Sequence, residues 1–281
     1  MITTVAPENT AMTADTKTTK PSVLMCRPEH FTVSYRINPW MHPEEPTDTS
    51  LALKQWKVLY DTYQDLGFDV HLIDGLPGLP DMVYAANGGF VLDGIAYGAK
   101  FHYPERGPEG PAYMDWFGAH GLQVVQPQEV NEGEGDFLLV GDSILAASGF
   151  RSDTGSHQEI ASIYGREVVS LQLINPSYYH LDTALAVIDP TTIAYLPSAF
   201  DDASLSVLRE RYPEAIIATE EDASILGLNS FSDGHNVVIA ARATTFAKDL
   251  QDRGYHPIGV DLSELLLGGG GVKCCTLELR S

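Results

Sequence analysis

The segment Phe90-Val91-Leu92-Asp93-Gly94-Ile95-Ala96-Tyr97 is two apolar runs joined by Asp-Gly, the dipeptide that suits a tight hairpin turn. A polar loop follows it, then an amphipathic stretch at 112–120, then the β-rich run Gly121-Leu122-Gln123-Val124-Val125. The same order recurs along the chain. Further hairpins are read at 137–145 around Gly141-Asp142, at 184–196 around Asp189-Pro190, and at 230–241 around Asp233-Gly234. Helices are expected at 50–66, 157–164, 202–212 and 245–253, and each closes into an extended run at 67–73, 166–169, 215–218 or 254–258. Gly67, Gly121 and Gly254 stand where a helix needs a left-handed residue to stop. A spacing of roughly 40–55 residues fits a ββαβ unit repeated about an axis. The fifth unit lacks its own hairpin, and pairing 274–279 with an early strand at 31–36 would complete it by joining the chain ends. The expected fold is a five-bladed α/β propeller with its loops converging on one central mouth, formed by residues 21–281 as a single domain after a disordered, Thr- and Ala-rich tail at 1–20.

Composition narrows the function classes. The 281 residues carry 17 Lys+Arg against 38 Asp+Glu, a formal charge of -21, which argues against nucleic acid or an anionic membrane as partner. Three cysteines, two of them neighbours, make no disulfide framework. No window reaches the ~20 apolar residues of a membrane span and no signal-peptide core is seen, so a cytoplasmic setting is expected. No phosphate loop, dinucleotide fingerprint or zinc-ligand spacing occurs, so neither metal nor cofactor is expected.

Three distant pieces carry chemistry: Asn131-Glu132-Gly133-Glu134-Gly135-Asp136, Tyr179-His180-Leu181-Asp182, and Gly268-Gly269-Gly270-Gly271-Val272-Lys273-Cys274-Cys275. Singly, each reads as packing or as a solvated loop. Together, a cysteine, a histidine and an acid suggest nucleophilic catalysis. If residues 274 and 275 are extended, their side chains point to opposite faces, so only one of the two cysteines can face a pocket.

With Met25-Cys26-Arg27-Pro28, Asn38-Pro39-Trp40-Met41, Asp81-Met82-Val83-Tyr84-Ala85-Ala86-Asn87, His102-Tyr103-Pro104-Glu105-Arg106 and Gly149-Phe150-Arg151, these motifs resemble the guanidine-modifying (pentein) superfamily. That superfamily holds arginine deiminases, dimethylarginine dimethylaminohydrolases, arginine dihydrolases and amidinotransferases. The resemblance implies a thiolate that attacks a guanidino carbon and passes through a covalent amidino-cysteine. It assigns Cys274 as nucleophile, His180 as the acid and base, and Glu132, the first glutamate of the longer Glu-Gly-x-Gly-Asp form, as the catalytic acid. Asn38, Asp81, Asn87 and Asp182 fall at substrate positions, and Arg106 and Arg151 at positions that meet the substrate's α-carboxylate.

Asn87 departs from the aspartate usual in deiminases and dimethylarginine hydrolases. Asp182, two residues after His180 and on the same face of an extended segment, can supply the missing charge. A second carboxylate favours a guanidinium rich in N–H donors, because a buried carboxylate without partners is costly. Free L-arginine is therefore expected ahead of methylated arginine, and hydrolysis to ornithine or citrulline ahead of amidino transfer or a catalytically silent binding role. The oligomeric state is open.

Overall fold

A computed structural model describes residues 20–280. The expected tail lies outside them except for Lys20. Strand β1 (Ser22–Cys26), helix α1 (Thr49–Asp65) and strand β2 (Asp69–Ile73) come first. The second unit is β3 (Gly89–Leu92), β4 (Ile95–Gly98), α2 (Glu109–Ala119) and β5 (Gln123–Val125). The third is β6 (Phe137–Val140), β7 (Ser143–Ser148), α3 (Thr154–Tyr164) and β8 (Glu167–Gln172). The fourth begins with the one-turn helix α4 (Leu181–Ala184) and continues through β9 (Leu185–Val187), β10 (Ile193–Tyr195), α5 (Asp202–Arg211) and β11 (Ile216–Ile217). Short α6 (Glu220–Ala223) leads into β12 (Phe231–Ser232), β13 (Asn236–Ala240), α7 (Thr244–Asp252) and β14 (His256–Val260), and short α8 (Ser263–Leu266) precedes β15 (Leu277–Glu278).

The strands form five three-stranded sheets with one internal logic. An antiparallel hairpin is followed by a helix that returns the chain parallel to the second strand, as in β3-β4-β5, where Phe90 faces Tyr97 and Ala96 faces Val124. The first sheet obeys the same rule with the ends of the chain. β15 pairs antiparallel with β1 through Val23↔Glu278, and β1 runs parallel to β2 through Met25↔Leu72. The joining partner is thus Ser22–Cys26, not the expected strand at 31–36. Residues 31–36 carry no strand hydrogen bonds, and Pro28 bends the chain out of β1, because proline offers no amide to a ladder.

Local chemistry sets the helix limits. Asp48 caps α1 by accepting the amides of Ser50 and Leu51, a contact worth about 1 kcal/mol. Gly67 (φ 89°), Gly121 (φ 83°) and Gly254 (φ 88°) take left-handed conformations just past α1, α2 and α7. Neighbouring blades close on each other through aromatic edges: Phe90 meets Phe137 at 6.4 Å between ring centroids, and Phe68 meets Phe231 at 5.2 Å. The result is the five-bladed α/β propeller. No helix among the described residues is long and apolar enough to cross a membrane.

Candidate active site

Every blade sends its chemistry from the same place, the loop entering the first strand of its hairpin. Asn87 lies in the 3-10 turn before β3, Glu132 opens the turn before β6, and His180 and Asp182 flank the start of α4 before β9. Asn229 comes just ahead of β12 and Cys274 just ahead of β15. Glycines let these loops touch. A Cβ on Gly133 (φ +53°) would lie 2.5 Å from the Gly89 carbonyl, and one on Gly135 would lie 2.4 Å from Asn87 Nδ2 and 3.2 Å from the His180 ring. In the C-terminal loop only Gly269 has a positive φ (+89°), whereas Gly268 and Gly270 leave room for Tyr84, 2.1 and 2.3 Å from the Cβ each would carry.

The thiol is held by two side chains. Cys274 Sγ donates to Asp182 Oδ2 at 3.2 Å and accepts from Asn229 Nδ2 at 3.1 Å. Asn229 Oδ1 accepts the amides of Cys274 (3.0 Å) and Gly271 (3.1 Å), so one residue fixes both ends of the nucleophile. Burial, with the nearby Asp182 charge, pushes the Cys274 thiol well above its usual range. Burial also raises Asp182 to about 7. Asp182 Oδ1 is buried without a partner.

A second cluster faces it. Glu132 Oε2 accepts from Arg151 Nη1 at 2.9 Å and meets His180 Nε2 at 2.8 Å, while Oε1 accepts the His102 amide at 3.2 Å. Burial alone would raise this carboxyl, but the Arg151 cation and His180 outweigh it and hold it below the usual range. His180 Nδ1 and Asp81 Oδ1 are buried and unpartnered, and Asp81 Oδ2 accepts from Tyr35 at 2.9 Å. Among the described residues no hydrogen bond joins His180 to Cys274. The arrangement can therefore hold a protonated thiol beside one carboxylate and a histidine tied to another, with three unpartnered polar atoms, on Asp81, Asp182 and His180, for a donor-rich cation.

A profile of the family described as "N,N dimethylarginine dimethylhydrolase, eukaryotic" matches residues 27–281. The chain belongs to this family. It is accordingly a hydrolase acting on C–N bonds, with the pentein fold. It is 51% identical over 256 residues to the N(G),N(G)-dimethylarginine dimethylaminohydrolase of Mycobacterium tuberculosis, covering 91% of this chain and 85% of that protein. It is 36% identical over 264 residues to the bifunctional arginine dihydrolase/ornithine cyclodeaminase ArgZ of Synechocystis, covering 92% of this chain but 37% of that longer protein. The N-terminal domain of ArgZ, a Cys-to-Ser mutant bound to substrate, superposes with a TM-score of 0.90 at 35% identity, covering 93% of this chain and 99% of that domain.

Against the sequence expectations, this family member gathers Cys274, His180, Glu132, Asp81, Asn87 and Asp182 in one buried region. The three other expected substrate contacts hold partners within the protein, some of them site residues. Arg106 grips Glu109 with two bonds (3.0 and 2.8 Å) and donates to Asn87 Oδ1, and Arg151 spends its arms on Glu132 and the Ile37 carbonyl. Both are 2–3% exposed, and Glu109 and Glu132 balance their charge within the protein. Asn38 donates to the Gly268 carbonyl at 3.1 Å and accepts the Trp40 amide at 2.9 Å, which braces the glycine loop.

Two geometric premises also change. Cys274 and Cys275 lie in a hydrogen-bonded turn, with Cys275 N bonded to Gly271 O at 3.2 Å, not on an extended segment. His180 caps α4 with Asp182 inside it, so a helical turn and not strand alternation aims the two side chains at different partners. Asn229 was missed. Its signal lay in position, since it stands before the fourth hairpin where the other blades carry their polar residues.

The buried carboxyls predict a pH dependence. Burial raises Asp182 to about 7 and Asp136 to about 6, so the folded protein binds protons that the unfolded chain has released. Their stabilising effect is complete below about pH 4 and is lost as pH rises through about 6–7. The melting temperature of the free protein should fall between about pH 5 and 8, and Asp182→Asn should flatten that slope. A melting temperature that rises across this window in both proteins would contradict the placement of these groups.

Proposed function

We propose that the protein hydrolyses the guanidino group of free L-arginine through a covalent intermediate on Cys274. The carrying observation is the pair of carboxylates, Asp81 and Asp182, each with one buried oxygen lacking a partner. Arginine's guanidinium has five N–H donors to satisfy them; two methyl groups on one nitrogen remove two of these and leave bulk where a donor is needed. The cation also supplies what the thiol lacks. Next to Asp182 the thiolate is disfavoured by like charge, and a guanidinium beside both groups offsets that repulsion, so that the thiol releases its proton to solvent as the cation binds. Thiolate then attacks the guanidino carbon, and Glu132, held ionised by Arg151, concentrates the positive charge. His180 protonates the departing ammonia and then takes a proton from the water that releases the product.

Asn87 supports a second cycle to ornithine. Arg106 can only donate, so it fixes the Asn87 carbonyl toward itself at 2.8 Å and leaves the NH₂ group, 3.4 Å from the Glu132 carbonyl, as the end free for other contacts. A citrulline ureido oxygen can accept from that NH₂, whereas an aspartate would oppose oxygen to oxygen. Asn87→Asp should shift products from ornithine toward citrulline while the first ammonia is still released. Time courses with arginine and with citrulline check this; unchanged ornithine output would remove Asn87 from the second cycle.

The second reading, a methylarginine hydrolase, is favoured by the 51% identity to the mycobacterial dimethylarginine dimethylaminohydrolase. Rates on arginine and on asymmetric dimethylarginine, with ornithine and citrulline quantified, separate the two. Faster turnover of the dimethylated substrate would displace the arginine reading.

A further inference from the structure

Behind the reacting groups lies a cluster of four charges that the mechanism does not use. Lys273, 5% exposed, places Nζ 2.5 Å from Glu134 Oε2, 2.9 Å from the Thr276 carbonyl and 3.4 Å from Glu278 Oε1. Glu134 is fully buried and also accepts the Glu278 amide at 3.0 Å and a bond from Arg280, whose second arm meets Glu278 at 2.7 Å. The cluster is balanced, two carboxylates against two cations. Its place in the chain gives it meaning. Lys273 is the residue before Cys274, and Glu134 is two residues after Glu132 in the same turn. Two catalytic loops 139 residues apart by this contact are thus fastened to each other from behind.

Stability is a weak reason for such a bridge, because removing two charges from water cancels most of their attraction. Fixing one loop against another is the use that buried ionic groups serve best. Here the distance that matters is between the thiol and the Glu132–His180 pair, which share no direct hydrogen bond in this structure and so depend on their loops for spacing. The ammonium also acts on Asp182 from the rear, favouring its ionised form. A cavity of about 350 Å³ opens beside Lys273, Glu278 and Arg280, but its mostly apolar lining, with Asp189, Asp233 and Glu278 against two cations already paired, selects no ligand.

We infer that Lys273 and Glu134 are positioning residues for the hydrolysis, their contact setting the nucleophile loop against the acid loop. This rests on the guanidine-hydrolase reading above. Lys273→Met keeps the length of the stem and removes the charge. It should lower kcat by about 10–100-fold with KM changed only a few-fold, since misplacement of reacting groups acts mainly on the chemical step. Lys273→Arg should recover most of the loss. Adding Glu134→Gln to Lys273→Met should cost little more, because the two act as a unit.

Should Lys273→Met not fold, Glu134→Asp keeps both charges and draws the bridge back by one methylene, and it should lower kcat at a near-normal melting temperature. Alkylation of Cys274 by iodoacetamide without substrate is the second readout. It should slow several-fold in Lys273→Met, or in Glu134→Asp if that variant carries the test, because the thiolate is harder to form or is turned away. Unchanged kcat and unchanged alkylation, with only the melting temperature lowered, would make the cluster purely structural and overturn the inference. Absence of turnover in the unmodified protein would instead defeat the function reading, and the alkylation comparison would still decide the positioning.

Discussion

Cys274→Ser should reduce ammonia release from arginine by at least about 10³-fold, the scale on which loss of a nucleophile acts. A guanidino carbon is a poor electrophile because its charge is delocalised, and a serine hydroxyl at this position is far weaker than a thiolate. The contacts around the thiol are built for sulfur's longer reach: Asn229 at 3.1 Å and Asp182 at 3.2 Å. Cys275→Ser should behave differently. Cys275 is fully buried in the apolar core with Tyr63 and Val238, so a hydroxyl there costs about 1–3 kcal/mol of stability with turnover per folded molecule kept. Near-wild-type ammonia release by Cys274→Ser would remove the thiol from the mechanism, and loss of turnover in stably folded Cys275→Ser would reverse the assignment.

Glu132→Gln should lower kcat by about 10²–10⁴-fold, combining lost charge stabilisation with a histidine that has lost its partner. The geometry makes the amide a poor replacement. Each carboxylate oxygen accepts from a donor that cannot reverse, Arg151 on one side and the His102 amide on the other, so the new NH₂ must meet a donor whichever way it turns. Arg151 is then left buried with its charge uncompensated. Glu134→Gln should cost about 10–100-fold in kcat, the loss expected of Lys273→Met, since Glu134 acts through its contact with Lys273 and touches none of the reacting groups. Steady-state rates for the two variants, normalised to folded protein, make the comparison. An equal or larger loss at Glu134 would mean that the roles of the two glutamates are exchanged.

Much of this fold could be read from turn chemistry. The hairpins at Asp93-Gly94 and Gly141-Asp142 and the glycine stops after α1, α2 and α7 are local signals, and local signals survive tertiary packing. The closing strand was misplaced because strand pairing between the chain ends is a long-range choice. Residues 31–36 alternate apolar and polar as a strand can, but the continuous apolar run 23–26 is the one buried between β15 and β2, and Pro28 ends it. In the site, residue types were legible and partners were not. Arg106, Arg151 and Asn38 stand in recognisable motifs, but sequence does not show that a buried guanidinium will find Glu109 or Glu132 first. Asn229 carries no motif at all, and it became visible only when the five loops entering the hairpins were laid on one another.

The most direct measurement is mass spectrometry of the protein quenched during turnover of arginine, followed by mapping of the C-terminal peptide. Attack of the Cys274 thiolate with loss of ammonia predicts an adduct equal to arginine less ammonia, confined to Cys274 and absent from Cys274→Ser. Its trapping calls for a rapid quench, since His180 serves both the formation and the release of the adduct. An adduct on Cys275, or steady ammonia release with Cys274 unmodified, would contradict covalent hydrolysis at this thiol.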